Sequence, residues 1–210
     1  MNNQAIICIV GPSGCGKTTI VESLCEKYDL SSVQSYTTRP RRSPDETGHT
    51  FITEEEFFEL KDVVASNKFA GNYYCATQEQ IDNSDFYVVD LPGVQALKSF
   101  YRGHKKIFVI GLYVSSEELV ARMKQRGDHI GDIVERRMHD QKAFEDMSDV
   151  CDIMIHNQDV STTADLIHCL LNHLNPPQTL CKFCQQRIDN ACACSDPFVI
   201  ECTGFISHKS

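Results

Sequence analysis

Ala5 to Val10 forms an unbroken apolar run, AIICIV, that stops at Gly11. A run of this length without polar alternation predicts a strand buried on both faces, as a parallel strand is when it leads into the N-terminus of a helix. Short β-branched runs at Phe86–Val89, Ile107–Val114 and Cys151–Ile155 predict further strands of the same kind. Between them, apolar residues recur at helical spacing over Thr18–Tyr28, Val94–Tyr101, Glu117–Arg126, Asp132–Asp146 and Thr162–Leu174. Strand–helix alternation of this sort predicts an α/β fold with a parallel sheet flanked by helices on both faces. Ser116, ahead of Glu117 and Glu118, reads as a helix start with carboxylates in the first turn, where the helix dipole favours them.

Two stretches break the alternation. Between Ser31 and Asp82 the chain is polar and punctuated by Pro and Gly, running SYTTRPRRSPDETGHTFITEEEF and then AGNYYCATQEQID. This predicts an insertion, over about residues 35–82, that carries a small sheet of its own. Pro176 and Pro177 cannot continue a helix, which gives a main domain of 1–175 and a cysteine-rich module of 178–210.

The turn after the first strand carries the chemistry. Gly11-Pro12-Ser13-Gly14-Cys15-Gly16-Lys17-Thr18 satisfies G-x-x-x-x-G-K-[ST] between a predicted strand and a predicted helix, the context that gives this phosphate-loop (P-loop) motif its meaning. Glycines let backbone N–H groups converge on phosphate oxygens without Cβ clashes, and the following helix aims its positive dipole end at the same anion. The loop residues Gly11, Ser13, Gly14, Cys15, Gly16, Lys17, Thr18 and Thr19 are therefore the candidate nucleotide-binding set. Lys17 reaches the β/γ-phosphates and Thr18 offers a hydroxyl to Mg²⁺. Asp90 closes the run Phe86–Val89 and so puts a carboxylate at the C-terminal edge of the sheet, where it can orient Mg²⁺ directly or through water. A second anion site is needed if two polyanionic substrates are to be held in line. Arg39, Arg41 and Arg42, beside Thr37 and Thr38, have the guanidinium forks that grip phosphate.

These segments together resemble the guanylate kinase family. GPSGCGKTT is similar to its phosphate loop, SYTTRPRRSPDETGHTF to its S-x-T-T-R-x-x-R-x-x-E-x-G segment, GNYYCAT to G-N-x-Y-G-T/S-S, and VVDLPGVQALK to D-x-D-x-Q-G-V-x-x-x-K. The resemblance covers residues 5–146 and stops before the cysteine-rich tail. It implies a P-loop core that moves the γ-phosphate of ATP onto GMP or dGMP with Mg²⁺, by direct in-line transfer. It further implies that Arg39, Arg42 and Tyr74 hold the acceptor phosphate, that Ser35 contacts the base, and that Asp90 lies between substrate and metal. RMKQRGDHIGDIVERRM, within a lid of about 122–137, resembles the family's mobile segment. Arg126 and Arg137 would close there on the ATP phosphates, with Arg122 and Arg136 as weaker candidates.

The departures bear on the base. The family's guanine-reading glutamate falls at Ala65 and its hydroxyl at Ala76, the first acid of D-x-D is Val88, and the usual tyrosine is displaced by Gly48-His49-Thr50-Phe51. Asp62, Thr77 and Asp82 are the nearby residues that can supply a replacement contact, and His49 reads as a surface polar residue rather than a base. Two other readings stay open on the sequence: a kinase for another purine or a modified deoxynucleotide, and a family-like domain that binds proteins without transferring phosphate.

Composition narrows the setting. A net charge of −9, from 29 acidic and 20 basic residues among 210, argues against broad binding to nucleic acid or anionic membrane. No stretch approaches the roughly 18 apolar residues of a membrane helix, and the N-terminus lacks a targeting pattern. Six of the 11 cysteines (Cys8, Cys15, Cys25, Cys75, Cys151 and Cys169) are scattered, which fits reduced thiols in the cytoplasm. The other five lie in the tail. Cys181-x₂-Cys184 and Cys192-x-Cys194, with Cys202 beyond, have the spacing of a structural Zn²⁺ module, a candidate surface for a protein partner. Three Lys/Arg against three Asp/Glu from Thr179 to Ser210 give that module little electrostatic attraction for nucleic acid.

Overall fold

The computed structural model describes residues 4–41, 44, 46–69 and 71–174. The chain divides into two units between Ala164 and Asp165, and the first unit carries both of its sheets. The main sheet is parallel, built in the order β6 (Phe86–Val88), β1 (Ala5–Val10), β7 (Lys106–Tyr113) and β8 (Ile153–His156). Every residue of β1 is buried, which accounts for the absence of polar alternation in AIICIV. Ile9 registers with Val88 on one side and with Ile110 on the other, and Tyr113 pairs with His156. The C-terminal ends of these strands therefore lie along one edge. The connections from β1 lead to neighbours on opposite sides, so a crevice opens at that edge where ligands of such sheets bind.

The flanking helices are α1 (Lys17–Tyr28), α4 (Leu91–Phe100), α5 (Ser116–Gln125), α6 (Ile130–Ala143) and the short α7 (Met147–Val150), with α8 (Val160–Leu174) running across the unit boundary. Several starts differ from the sequence expectation for local reasons. The N-cap of α5 is Ser115, not Ser116: its Oγ accepts from Glu118 N–H at 3.2 Å while the Glu118 carboxylate accepts from Ser115 N–H at 3.3 Å, a reciprocal capping box. Helix α4 begins at Leu91 rather than Val94, because Asp90 caps it and Pro92 falls in the first turn, where its missing N–H has no intrahelical partner to lose. The helix expected over Asp132–Asp146 is α6, which ends at Ala143, and the separate short α7 begins past that stretch at Met147. The last strand starts at Ile153 because the Asp152 carboxylate, not a backbone carbonyl, accepts from Val109 N–H at 2.7 Å.

The insertion does carry its own sheet. β2 (Ser35–Thr37), β3 (His49–Phe51), β4 (Val63–Phe69) and β5 (Asn72–Thr77) pair in the order β3-β2-β5-β4, with α2 (Glu54–Glu59) and α3 (Gln78–Asp82) at its edges of sequence. β2 and β3 run parallel, whereas β5 is antiparallel to both β2 and β4. One apolar cluster joins the two sheets: Ile6, Cys8, Val10 and Val109 share it with Val64, Ala65 and Ala76 and with Val94 and Leu97 of α4. Burial pushes the Cys8 thiol up to about 12, so it behaves as a small inert hydrophobe. All six described cysteines are free thiols. No helix among the described residues is long and apolar enough to cross a membrane. Arg42 and the tail cysteines Cys181, Cys184, Cys192 and Cys194 lie outside the described residues.

Leu97 is fully buried on α4, between the two sheets. Its replacement in Leu97→Ala should lower the unfolding free energy by about 2–5 kcal/mol, read from denaturant melts with an unchanged slope.

Candidate active site

Three parallel strands each deliver one component to the common edge. β1 runs into the glycine turn, β6 into Asp90 and β8 into Asn157. The turn is shaped by close approach as much as by torsion. Gly11 has φ 151° and a Cβ there would lie 2.3 Å from the Leu112 carbonyl oxygen; Gly16 has φ 98° and a Cβ would lie 2.5 Å from Asn157 Nδ2. Asn157, 1% exposed, donates from Nδ2 to the Cys15 carbonyl at 2.7 Å and accepts from the Thr163 hydroxyl at 3.1 Å. Arg122 adds Nη2 to the Asn157 carbonyl at 3.0 Å and Nη1 to the Cys15 carbonyl at 3.5 Å. Asn157 and Arg122 thus satisfy the Cys15 carbonyl; of the loop amides, Ser13 N–H is taken by Asp140 Oδ2 at 2.6 Å and Cys15 N–H by the Pro12 carbonyl at 3.3 Å. Lys17 Nζ donates to the carbonyls of Gly11 at 2.7 Å and Pro12 at 3.0 Å, folded over its own loop.

Two cavities meet over this turn. The first, about 510 Å³, is lined by Ser13, Gly14, Gly16, Lys17, Thr18 and Thr19 of the loop and by Arg122, Arg126 and Arg136. The second, about 390 Å³, runs from Gly11, Ser13 and Lys17 past Asp90 to Ser35, His49, Ser66, Asn67 and Tyr74 on the inserted sheet. Ser13 and Lys17 line both. Cys15 contributes through its backbone, its side chain being fully buried beneath the loop.

Other predicted residues are held by partners of their own. Arg39 makes a two-point ion pair with Glu46, Nη2 to Oε1 at 2.7 Å and Nη1 to Oε2 at 3.2 Å. That pair, with a smaller contribution from Tyr74, raises the Arg39 pKa further above its ordinary value. Arg41 lies over the Phe51 ring at 4.2 Å. Arg126 pairs with Asp128, which also takes Arg136 Nη1 at 3.0 Å. Arg137 is not brought to either cavity, because its Nη2 donates to Ser116 Oγ at 2.9 Å on α5. Ser35 Oγ shares a hydrogen bond of 2.9 Å with His49 Nδ1, and the His49 ring stands edge-on to Tyr74 at 5.9 Å. His49 is thus part of the cavity wall rather than a surface residue.

The base-contact question takes a definite form. Ala65 and Ala76 face each other across β4 and β5 and are buried in the apolar cluster. None of the three substitutes that the sequence offers lines the second cavity. Asp62 sits in a turn at φ 53°, Thr77 caps α3, and Asp82 accepts from the Tyr101 hydroxyl. Two acidic groups line that cavity, Asp90 and Asp140; Asp90 Oδ1 accepts from Gly93 N–H at 2.8 Å and its Oδ2 accepts from Asn67 Nδ2. Each carboxylate oxygen retains a further acceptor site. Asn67, Asn157 and Glu46 escaped the sequence reading. Asn157 had a usable signal, an amide placed directly after the last apolar run, while Asn67 had none.

A glycine turn that ends a strand of a parallel sheet, with one cavity walled by arginines of a helix pair and an adjoining cavity reaching an inserted sheet, defines a P-loop α/β protein. The chain belongs to the guanylate kinase family, a family of nucleoside-monophosphate kinases: the family model for guanylate kinase matches residues 3–174. It is 31% identical over 178 residues to guanylate kinase of Nostoc sp., covering 79% of this chain and 88% of that one. With guanylate kinase of Trichormus variabilis it shares 32% over 180 residues, with coverage of 79% and 88%. The crystal structure of guanylate kinase from Anaplasma phagocytophilum has the same fold, with a TM-score of 0.59 at 21% identity over 85% of this chain and 89% of that one.

Asn157→Ala strands the buried Cys15 carbonyl without its closest side-chain donor. It should lower the unfolding free energy by about 1–3 kcal/mol in a denaturant melt, with no loss of the parallel-sheet signal by circular dichroism.

Proposed function

We propose that the protein transfers the γ-phosphate of ATP to GMP or dGMP, releasing ADP and GDP or dGDP. The observation that carries this reading is the pair of cavities that share Ser13 and Lys17: a donor triphosphate in one and an acceptor monophosphate in the other bring their reacting ends to the same lysine. Residues 35–82 act as the acceptor-binding insertion and 122–137 as the lid, both within a main domain of 1–175.

In this reading an oxygen of the acceptor phosphate attacks the γ-phosphorus. One P–O bond forms as the bond to the β-bridging oxygen breaks, and the electron pair leaves on ADP. The attacking oxygen is already anionic, so no general base is needed. Lys17 leaves the Gly11 and Pro12 carbonyls to follow the transferring group, and loop N–H groups from Ser13 to Thr19 hold the β-phosphate. Thr18 and Asp90 would hold Mg²⁺ through their oxygens, and the ion would supply neutralisation of phosphate charge when bound. Arg39, Arg42 and Tyr74 take the acceptor phosphate; Arg39 exchanges part of its Glu46 pair for it. Arg126 already lines the donor cavity, while Arg137 reaches the phosphates after releasing Ser116. Ser35 accepts from a guanine N–H group, while Asp90 stays between the acceptor and the metal. Closure of the insertion and lid excludes water, which would otherwise take the phosphate.

Purified protein should release ADP from ATP in a Mg²⁺-dependent manner with GMP or dGMP, and far less with AMP, CMP or UMP. Lys17→Ala should reduce kcat/KM by about 10²–10³-fold. Absence of turnover with every acceptor would sink the reading.

The same reading locates the protein in the cytoplasm, among small-molecule nucleotides. For the tail we propose a structural Zn²⁺ enclosed by Cys181, Cys184, Cys192 and Cys194, forming a small stability or partner-binding module. Elemental analysis of the full chain should then find about one zinc per molecule; a metal-free chain that stays soluble in chelator would remove the proposal.

A further inference from the structure

Asp140 lies on α6, far along the chain from the phosphate loop, yet its Oδ2 accepts from the Ser13 N–H at 2.6 Å. The residue is 7% exposed. A buried carboxylate is ordinarily matched by a cation, but among the described residues no lysine or arginine pairs with this one. Its other close neighbour is His139 Nδ1, 3.5 Å from Oδ1. Lys17, the cation of the loop, is turned to the Gly11 and Pro12 carbonyls instead. The carboxylate is therefore met by the loop itself, through the Ser13 backbone N–H, the kind of donor that suits a phosphate oxygen.

A second contact starts from the adjacent residue. The His139 ring stands edge-on to Phe69, centroids 4.9 Å apart, and Phe69 ends β4 of the inserted sheet. His139, Asp140 and Phe69 also line both cavities. Two consecutive residues of one helix thus touch the phosphate loop and the acceptor insertion, at the wall the two cavities share.

We propose that Asp140 is an internal stand-in for nucleotide phosphate: its carboxylate holds the Ser13 amide of the phosphate loop, must leave before a triphosphate can enter, and so sets the donor affinity, with the His139–Phe69 contact tying its release to the insertion. This rests on the reading that the loop takes the phosphates of ATP. A carboxylate and a phosphate cannot share the Ser13 amide, and at such separations their like charges repel strongly. Apparent affinity falls by the fraction of molecules that are open. If about nine molecules in ten are latched, ATP binds about tenfold more weakly than the loop itself allows.

The test is calorimetric titration of the full chain and of Asp140→Asn, Asp140→Ala and Phe69→Ala with MgATP, inorganic tripolyphosphate and adenosine. Asp140→Asn keeps a carbonyl oxygen for the Ser13 amide and removes the charge, and Phe69 is 42% exposed, so at least these two should fold. The Asp140 variants should bind MgATP and tripolyphosphate about tenfold more tightly, Phe69→Ala should shift in the same direction by less, and adenosine should be unaffected. Unchanged or weaker tripolyphosphate binding in Asp140→Asn overturns the proposal, as does an equal gain for adenosine. No acceptor is present in these titrations. A failure to phosphorylate GMP would therefore leave their outcome intact, and the two readings fail separately.

Discussion

The turn from Val10 to Lys17 must present N–H groups to an anion while its own carbonyls stay hydrogen-bonded, and the contact that permits both is the Asn157 amide on the Cys15 carbonyl, 2.7 Å long and buried. Asn157 is there because β8 ends at His156 in parallel register beside β7. The loop sits close enough to be gripped because Gly11 passes against Leu112, and Gly16 against Asn157, with no room for a Cβ. Without the register of the last strand, the Cys15 carbonyl would lose its closest donor, while Lys17 would still hold the carbonyls of Gly11 and Pro12. The active site is in this sense a property of the whole sheet edge.

Charge is managed by giving each group an interim partner. Lys17 rests on loop carbonyls, Arg39 on Glu46, Arg126 and Arg136 on Asp128, and Arg137 on Ser116. Each cation is thereby met by a hydrogen-bonded oxygen, and in the proposed reaction such a partner is exchanged for a phosphate oxygen, one charge-assisted hydrogen bond replacing another. Asp140 on the Ser13 amide is the same principle with the sign reversed: there an anion waits in the place of an anion.

The inserted sheet shows how one strand pair divides a pocket from the core. Ala65 and Ala76 are adjacent across β4 and β5 and are absorbed into the apolar core with Tyr87 and Leu91. The polar lining of the second cavity includes Ser35, His49, Asn67 and Asp90. Burying the alanine pair favours stability, and the polar groups of the lining are anchored to one another, Ser35 with His49 and Asp90 with Asn67.

Much of this was legible along the chain because it depends on local pattern. Unbroken apolar runs mark strands buried on both faces, GPSGCGKT marks the loop, and a Pro/Gly-rich polar stretch marks the insertion; each follows from the stereochemistry of a few consecutive residues. Even the strand-end position of Asp90 followed from where its apolar run stopped. What only the tertiary structure decided are the pairings between distant residues: Asn157 with Cys15, Asn67 with Asp90, Asp140 with Ser13, and the diversion of Arg137 to Ser116. The physical reason is that a hydrogen bond is fixed by position in space to within a few tenths of an ångström. The sequence specifies which groups can donate or accept, and the packing of the two sheets and α6 specifies which of them meet.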